Sequence, residues 1–307
     1  MDLGLASLRA LAAVARHGSF SRAGAELGLT QPAVSMQVKQ LETRVGLPLL
    51  ERVGKRATPT RAGELMLAHA ARAFLELEAG VEQVRRLRGI VAGRLRIGTS
   101  ASISIYLLPP MLRRFRTRYP ETELLIVTGN ATEIVSAVSS NELDLGIVSL
   151  PVRARELSVT SFYRDELVAI APPGRQWRGR RTIGPAELAR EPLILFERGA
   201  TLRRVIDTWF QRAGAPPSRV MEMGNTEAIK KLVQAGLGLS VTSWFSAKSE
   251  VTRSALVAMR LAPPLHRQLG VVRRRDKTPT PTLDAFLEAI EDLRRALDRA
   301  PRPASRN

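Results

Sequence analysis

The sequence predicts an α/β protein in three parts: an N-terminal winged helix-turn-helix, a long linker helix and a C-terminal two-lobed α/β domain. Three observations carry this. Short helices with apolar stripes meet at glycine turns before residue 46, a proline-free heptad pattern runs over residues 61–88, and strands alternate with helices from Gly93 onward.

Leu8, Leu11, Ala12 and Ala15 form the apolar stripe of a first helix that stops near His17 and Gly18. Ser19 can cap a second helix, with Phe20, Ala23 and Leu27 on its buried side and Gly28 turning the chain. Thr30 is a good N-cap and Pro32 falls in the first turn, where its missing N–H costs nothing, so a third helix begins near Gln31. Val34, Val38, Leu41 and Val45 follow at spacings of four, three and four and face a core. Gln31, Ser35, Met36, Lys39 and Gln40 project outward. With Pro32 and Ala33, the first three of these occupy the N-terminal end, where a recognition helix meets base edges and phosphates. Gln pairs bidentately with adenine, and Ser with several bases. A solvated helix face would carry the same polarity; the neighbouring elements favour the groove. Gly46 and Pro48 end the helix, and residues 49–60 offer two short strands around Gly54, a wing on which Arg52, Lys55 and Arg56 can neutralise phosphates without reading sequence.

The stretch AVARHGSFSRAGAELGLTQPAVSMQVKQLETRVGLPLLERVGKRATPTRAG, residues 13–63, resembles the LysR-type transcriptional regulators densely and without gaps. Within that family, LTQPAVSMQVKQLE and the later GNTEAIKKLVQAGLGLS are most similar to the regulators of Calvin-cycle carbon-fixation operons. Gly24, Leu50 and Pro59 depart from the family's more usual Ala, Phe and Leu. The first two are packing changes, and Pro59 bears on the second strand of the wing. The resemblance implies a double-stranded operator DNA as partner and a homodimer through the linker helix, pairing into a tetramer that bends DNA. It also implies a small-metabolite effector and a periplasmic-binding-protein-like (type 2) effector domain; contact with RNA polymerase is compatible with that role.

The chain has 307 residues, 44% of them hydrophobic and 25% charged, enough for two well-packed domains. Its formal net charge is +18, yet residues 1–60 carry eight Lys/Arg against four Asp/Glu, so most of the excess lies elsewhere. An Arg-rich, Ala-rich composition of the kind a GC-rich genome produces accounts for much of it; a basic body still favours approach to DNA. Cysteine is absent, which excludes disulfides, thiolate metal sites and thiol redox switches. No signal peptide or membrane-length apolar run is present, so a cytoplasmic protein without membrane contact is expected.

Residues 61–88 repeat apolar positions Leu67, Phe74 and Val81, interleaved with Ala70, Leu77 and Val84. This helix, about 40 Å long, is expected to dimerise; the alternative is packing on its own C-terminal domain. Gly89 and Gly93 mark a hinge. Strands at 94–99, 123–128 and 143–148 and helices at 106–119 and 131–140 make a βαβαβ unit with a mainly parallel sheet. A second unit has strands at 166–171, 193–196, 220–223 and 238–242 and helices at 202–213 and 226–235. A strand at 268–272 and a helix at 283–297 return to the first unit. The expected domains are therefore 1–60, 61–90 and 91–300, with lobe I over 91–165 and 266–300, lobe II over 166–265, and a disordered tail at 301–307.

Ligands in such sheets bind where strand ends meet helix starts. Thr99, Ser100, Ser102, Thr128, Gly129 and Ser149 occupy those places in the first lobe, and Arg198, Thr201, Arg203, Asn225 and Thr226 in the second, with Lys230 nearby. Hydroxyls, free amides and cations together suit a small anionic metabolite, although each Ser or Thr alone is also an ordinary N-cap. Catalysis has little support: His17, His69 and His266 are scattered, and no nucleophile elbow, Walker loop, HExxH or dinucleotide fingerprint is present. Trp177, Trp209 and Trp244 read as packing residues. No cofactor, metal ligand or enzymatic activity is expected. The alternative is a small-molecule binding protein or enzyme on a solute-binding fold, which leaves residues 1–88 without a purpose.

Overall fold

Helix stripes and turn chemistry organise the first sixty residues as α1 (Leu5–His17), α2 (Phe20–Leu27), α3 (Gln31–Val45) and the antiparallel wing strands β1 (Leu50–Val53) and β2 (Arg56–Pro59), after which α4 (Arg61–Arg86) begins. The computed structural model describes residues 4–53, 56–86, 91–174 and 176–299, in two compact units, Met1–Gly80 and Val81–Asn307. Lys55 of the expected wing, Gly89 of the expected hinge and the expected tail at 301–307 lie outside the described residues.

In the first unit, Ser19 and Thr30 cap α2 and α3 by accepting from the backbone N–H groups of Arg22 and Ala33. The stripe of α1 is shifted from expectation. Ala12 and Ala15 are half-buried, whereas Ala10, Ala13 and Val14 pack with Ala23, Val34, Val38 and Ala57. Three helices converge on α1, so its buried arc is wider than one stripe. Glu42 accepts from the backbone N–H groups of Leu49 (2.8 Å) and Leu50 (3.2 Å), tying α3 to the wing. Pro59 closes β2 opposite Leu50, at a strand end where a proline interrupts no interior ladder. The seam of α4 is divided. Leu67, Ala70 and Phe74 pack with Leu8, Leu11 and Leu41 of this unit, while Leu77, Val81 and Val84 are exposed.

The second unit continues with β3 (Gly93–Thr99), α5 (Ala101–Tyr106), α6 (Leu108–Arg118), β4 (Thr122–Thr128), α7 (Ala131–Ser139), β5 (Leu145–Ser149) and β6 (Leu157–Ala171). It proceeds through β7 (Thr182–Ile183), α8 (Pro185–Leu188), β8 (Leu193–Phe196), α9 (Thr201–Arg212), β9 (Val220–Met223) and α10 (Thr226–Gln234). The last elements are β10 (Ser240–Ser243), α11 (Trp244–Thr252), β11 (Val257–Arg274) and α12 (Pro281–Arg299). The expected helix at 106–119 is α6, which starts at Leu108 because Pro109 and Pro110 can occupy only the first turn of a helix; the short α5 before it was not expected.

The sheet differs more. Its order is β10-β6-β11-β5-β3-β4, with β7 beside β11 and with β8 and β9 forming a separate parallel pair. β3, β4 and β5 are parallel as expected, but the long strands β6 and β11 run antiparallel to each other from register Leu157–Arg274 to Ala171–Val257. Residues 269–272 of β11 pair with β5, and residues 167–170 of β6 pair with β10, so this ribbon passes through both lobes. One core gathers Ile97, Phe115, Leu145 and Phe286, and the other Leu167, Leu195, Phe210 and Met259.

Candidate nucleic-acid interface and ligand cleft

On α3 the apolar face is consumed by packing: Val34, Val38 and Leu41 are buried. The opposite face is open. Gln31, Pro32, Met36, Lys39 and Gln40 are exposed, and Ala33 and Ser35 half-buried, all on one helix whose first turn carries no acidic residue. Its N-terminal amides and dipole therefore meet an approaching phosphate without repulsion. Arg52 and Arg56 are exposed on the wing. The turn before α2 is braced by Glu26, which bonds Arg16 (2.8 Å) and His17 (2.5 Å); the His17 hydrogen bond is the main reason its carboxyl lies below the ordinary range.

In the second unit the parallel strands end where helices begin. A cleft of about 390 Å³ forms there, large enough for a small metabolite. Ser100, Ser102, Thr128, Gly129 and Ser149 line one side, and Thr201, Asn225 and Thr226 the other. Asn130 and Glu133 cap α7 reciprocally, and Asn225 accepts from the N–H groups of Glu227 and Ala228. The first turn of α9 follows Ala200, which supplies no side-chain cap, so its amides are unclaimed by a capping residue. Arg267 lies in the lining at 4% exposure, its Nε donating to Asp165 at 2.6 Å.

Two family descriptions match: residues 5–64 the bacterial regulatory helix-turn-helix protein, lysR family, and residues 88–295 the LysR substrate binding domain. The chain belongs to the LysR family. This LysR protein is a DNA-binding transcriptional regulator with an effector-binding domain. It is 36% identical over 291 residues to the RuBisCO operon transcriptional regulator of Allochromatium vinosum, covering 94% of this chain and 96% of that one. A full-length OxyR variant from Pseudomonas aeruginosa shares the fold, with TM-score 0.73, 23% identity and coverage of 96% and 98%. The Synechocystis PCC6803 CcmR regulatory domain in complex with 2-PG is 30% identical, with TM-score 0.60, over 66% of this chain and 97% of that domain.

Within the LysR regulator's cleft, the cations expected from the sequence are placed elsewhere. Arg198 is exposed and pairs with Glu222 at 3.2 Å. Arg203 is buried against Asp207 (2.8 Å), the Phe196 carbonyl (2.6 Å) and Glu222 (3.2 Å), outside the lining. Lys230 is buried against Glu250 (2.6 Å), Glu227 (2.9 Å) and the ring of Tyr106. Each pairs with a neighbouring carboxylate, which for the buried Arg203 and Lys230 is the cheaper state for a cation leaving water. Thr99 also falls outside the lining, its hydroxyl buried and donating to the Ile147 carbonyl. His266, expected before a strand, lies within β11 opposite Glu166. Arg267 escaped the sequence reading because it falls just outside the expected strand at 268–272. The available signal was charge beside apolar strand texture in both stretches, Arg267 in HRQLGVV and Arg164, Asp165 and Glu166 in RDELVAIA.

Proposed function

We propose that this LysR regulator controls carbon-fixation genes, reading an operator with α3 and answering to a small anionic metabolite held in the cleft. The observation that carries the reading is the likeness to the Allochromatium vinosum RuBisCO operon regulator along nearly the whole length of both chains. Gln31, Ser35 and Met36, with Pro32 and Ala33 shaping the first turn, approach base edges; Lys39, Arg52, Lys55 and Arg56 approach phosphates. The exposed stripe Leu77, Val81 and Val84 of α4 joins two copies, whose α3 helices read half-sites of an inverted repeat about one helical turn apart, and dimers pair into a tetramer. Operation is non-enzymatic and cytoplasmic, with RNA polymerase as the downstream partner. The domains serve these roles as 1–60, 61–90 and 91–300.

Ligand closure of the lobes shifts the spacing of the DNA-binding units, which requires only that the ligand bind one quaternary state more tightly. Chromatin occupancy in the source cells tests the gene assignment: enrichment upstream of a RuBisCO operon is expected, and enrichment only at unrelated promoters contradicts it.

A further inference from the structure

We propose that Arg267 is the anchor by which the cleft grips one oxyanion group of its ligand, phosphoryl or carboxylate, and that Asp165 is the positioning carboxylate that sets its aim. This deepens the ligand-responsive reading and rests on it.

Arg267 of β11 stands opposite Asp165 of β6 in the antiparallel register, in the ribbon that passes between the lobes. Asp165 is 0% exposed and both its oxygens are engaged: Oδ2 accepts from Arg267 Nε at 2.6 Å and Oδ1 from the Ser243 hydroxyl at 2.9 Å. The guanidinium is thereby held at Nε. Its two terminal nitrogens make no hydrogen bond to any described residue, although the side chain is almost wholly buried and lines the cleft. Terminal guanidinium N–H groups form a planar fork that matches two oxygens of a carboxylate or phosphate at once.

Among the described lining residues Arg267 is the only cation. Ser100 and Ser102, with hydroxyls 3.3 Å apart, and Ser149 share the lining and add donors suited to the same group. A purely structural strand clamp would also pair Arg267 with Asp165, but it would aim the remaining donors at protein acceptors.

The test titrates the full chain with inorganic phosphate, acetate and 2-PG separately, by calorimetry and thermal shift, after each variant's unfolding midpoint shows it folded. Wild type is expected to bind phosphate or acetate, and the stronger of the two identifies the group as phosphoryl or carboxylate. Arg267→Lys keeps the charge but loses the fork, and affinity falls about tenfold to a hundredfold. The double variant Asp165→Asn/Arg267→Met removes both charges together, avoids an orphaned buried carboxylate and abolishes binding. Asp165→Asn alone leaves the buried Arg267 cation without its partner and lowers the midpoint; anion binding measured on the still-folded variant weakens as well, whereas a merely structural role would lower the midpoint and leave binding intact. Unchanged binding in the Arg267 variants, with loss in Ser102→Ala or Thr226→Val, overturns the anchor and leaves the cleft reading standing. Binding that no cleft variant alters overturns both. A wild type indifferent to all three probes also overturns the anchor.

Discussion

At Gly63 an added Cβ would lie 1.9 Å from the Leu49 carbonyl oxygen, which also accepts from the Thr60 N–H at 3.0 Å. The entrance of α4 and the start of the wing are therefore in backbone contact. Gly63→Ala is expected to destabilise the N-terminal unit by about 1–3 kcal/mol, read as a lower urea midpoint; an unchanged midpoint contradicts the close approach. Gly24 is a milder case, its Cβ falling 2.6 Å from the Leu29 oxygen, so the departure from Ala brings α2 against the turn that follows it. On α3, Gln31→Ala is expected to relax discrimination between operator and random DNA, by about 1–3 kcal/mol. Arg52→Ala should instead weaken both alike and flatten the salt dependence. Equal losses on both DNAs for Gln31→Ala would remove it from base reading. At Glu222, burial alone raises the carboxyl, but hydrogen bonds from Arg203 and from the Arg198 backbone, with the Arg203 charge, outweigh it and bring the group below the ordinary carboxylate range. A lowered folded-state pKa contributes stability above the unfolded pKa and loses it as pH falls through the folded value. Glu222→Gln should accordingly flatten the acid limb of the stability profile, and an acid limb identical to wild type would show that the network is neutral to folding.

At the scale of elements, the short helices were legible because caps, turns and apolar spacing all act within a few residues. Thr30, Pro32 and the Val34, Val38, Leu41 stripe place α3 at 31–45 as read from the sequence. The long strands were not. β6 and β11 carry polar residues where they pass between lobes, as in Arg164, Asp165, Glu166, His266 and Arg267, and a pattern that counts apolar runs stops at those charges. Asp165 and Glu166 find their ion-pair partners, Arg267 and Arg260, across the ribbon and about a hundred residues away. The same limit explains the cleft. Hydroxyls at strand ends are fixed by topology and, Thr99 apart, line the cleft, whereas cations are placed by whichever carboxylate they meet in three dimensions. In α4, Leu77, Val81 and Val84 stay exposed beyond the part that packs on the N-terminal unit. Leu77→Glu/Val81→Glu is expected to shift the protein toward monomer in sedimentation without lowering its unfolding midpoint, and an unchanged oligomer would assign dimerisation to another surface.

At the scale of the whole molecule, α3, the proposed recognition helix, and the proposed ligand cleft belong to separate compact units of one chain. Each ligand must bind one quaternary state better than another, and the coupling is then reciprocal: operator DNA tightens or loosens the metabolite by the same factor. The net charge of +18 adds a salt-dependent attraction to any DNA, so sequence preference has to be measured against random competitor at stated salt. The most direct measurement is a nuclease footprint of the purified chain on the DNA flanking its own gene and on RuBisCO-operon upstream DNA, with and without a panel of phosphorylated metabolites. A protected inverted repeat whose extent or bending changes with one metabolite is the predicted result. Protection that no metabolite alters, or none on either DNA, would contradict a ligand-responsive regulator of these genes.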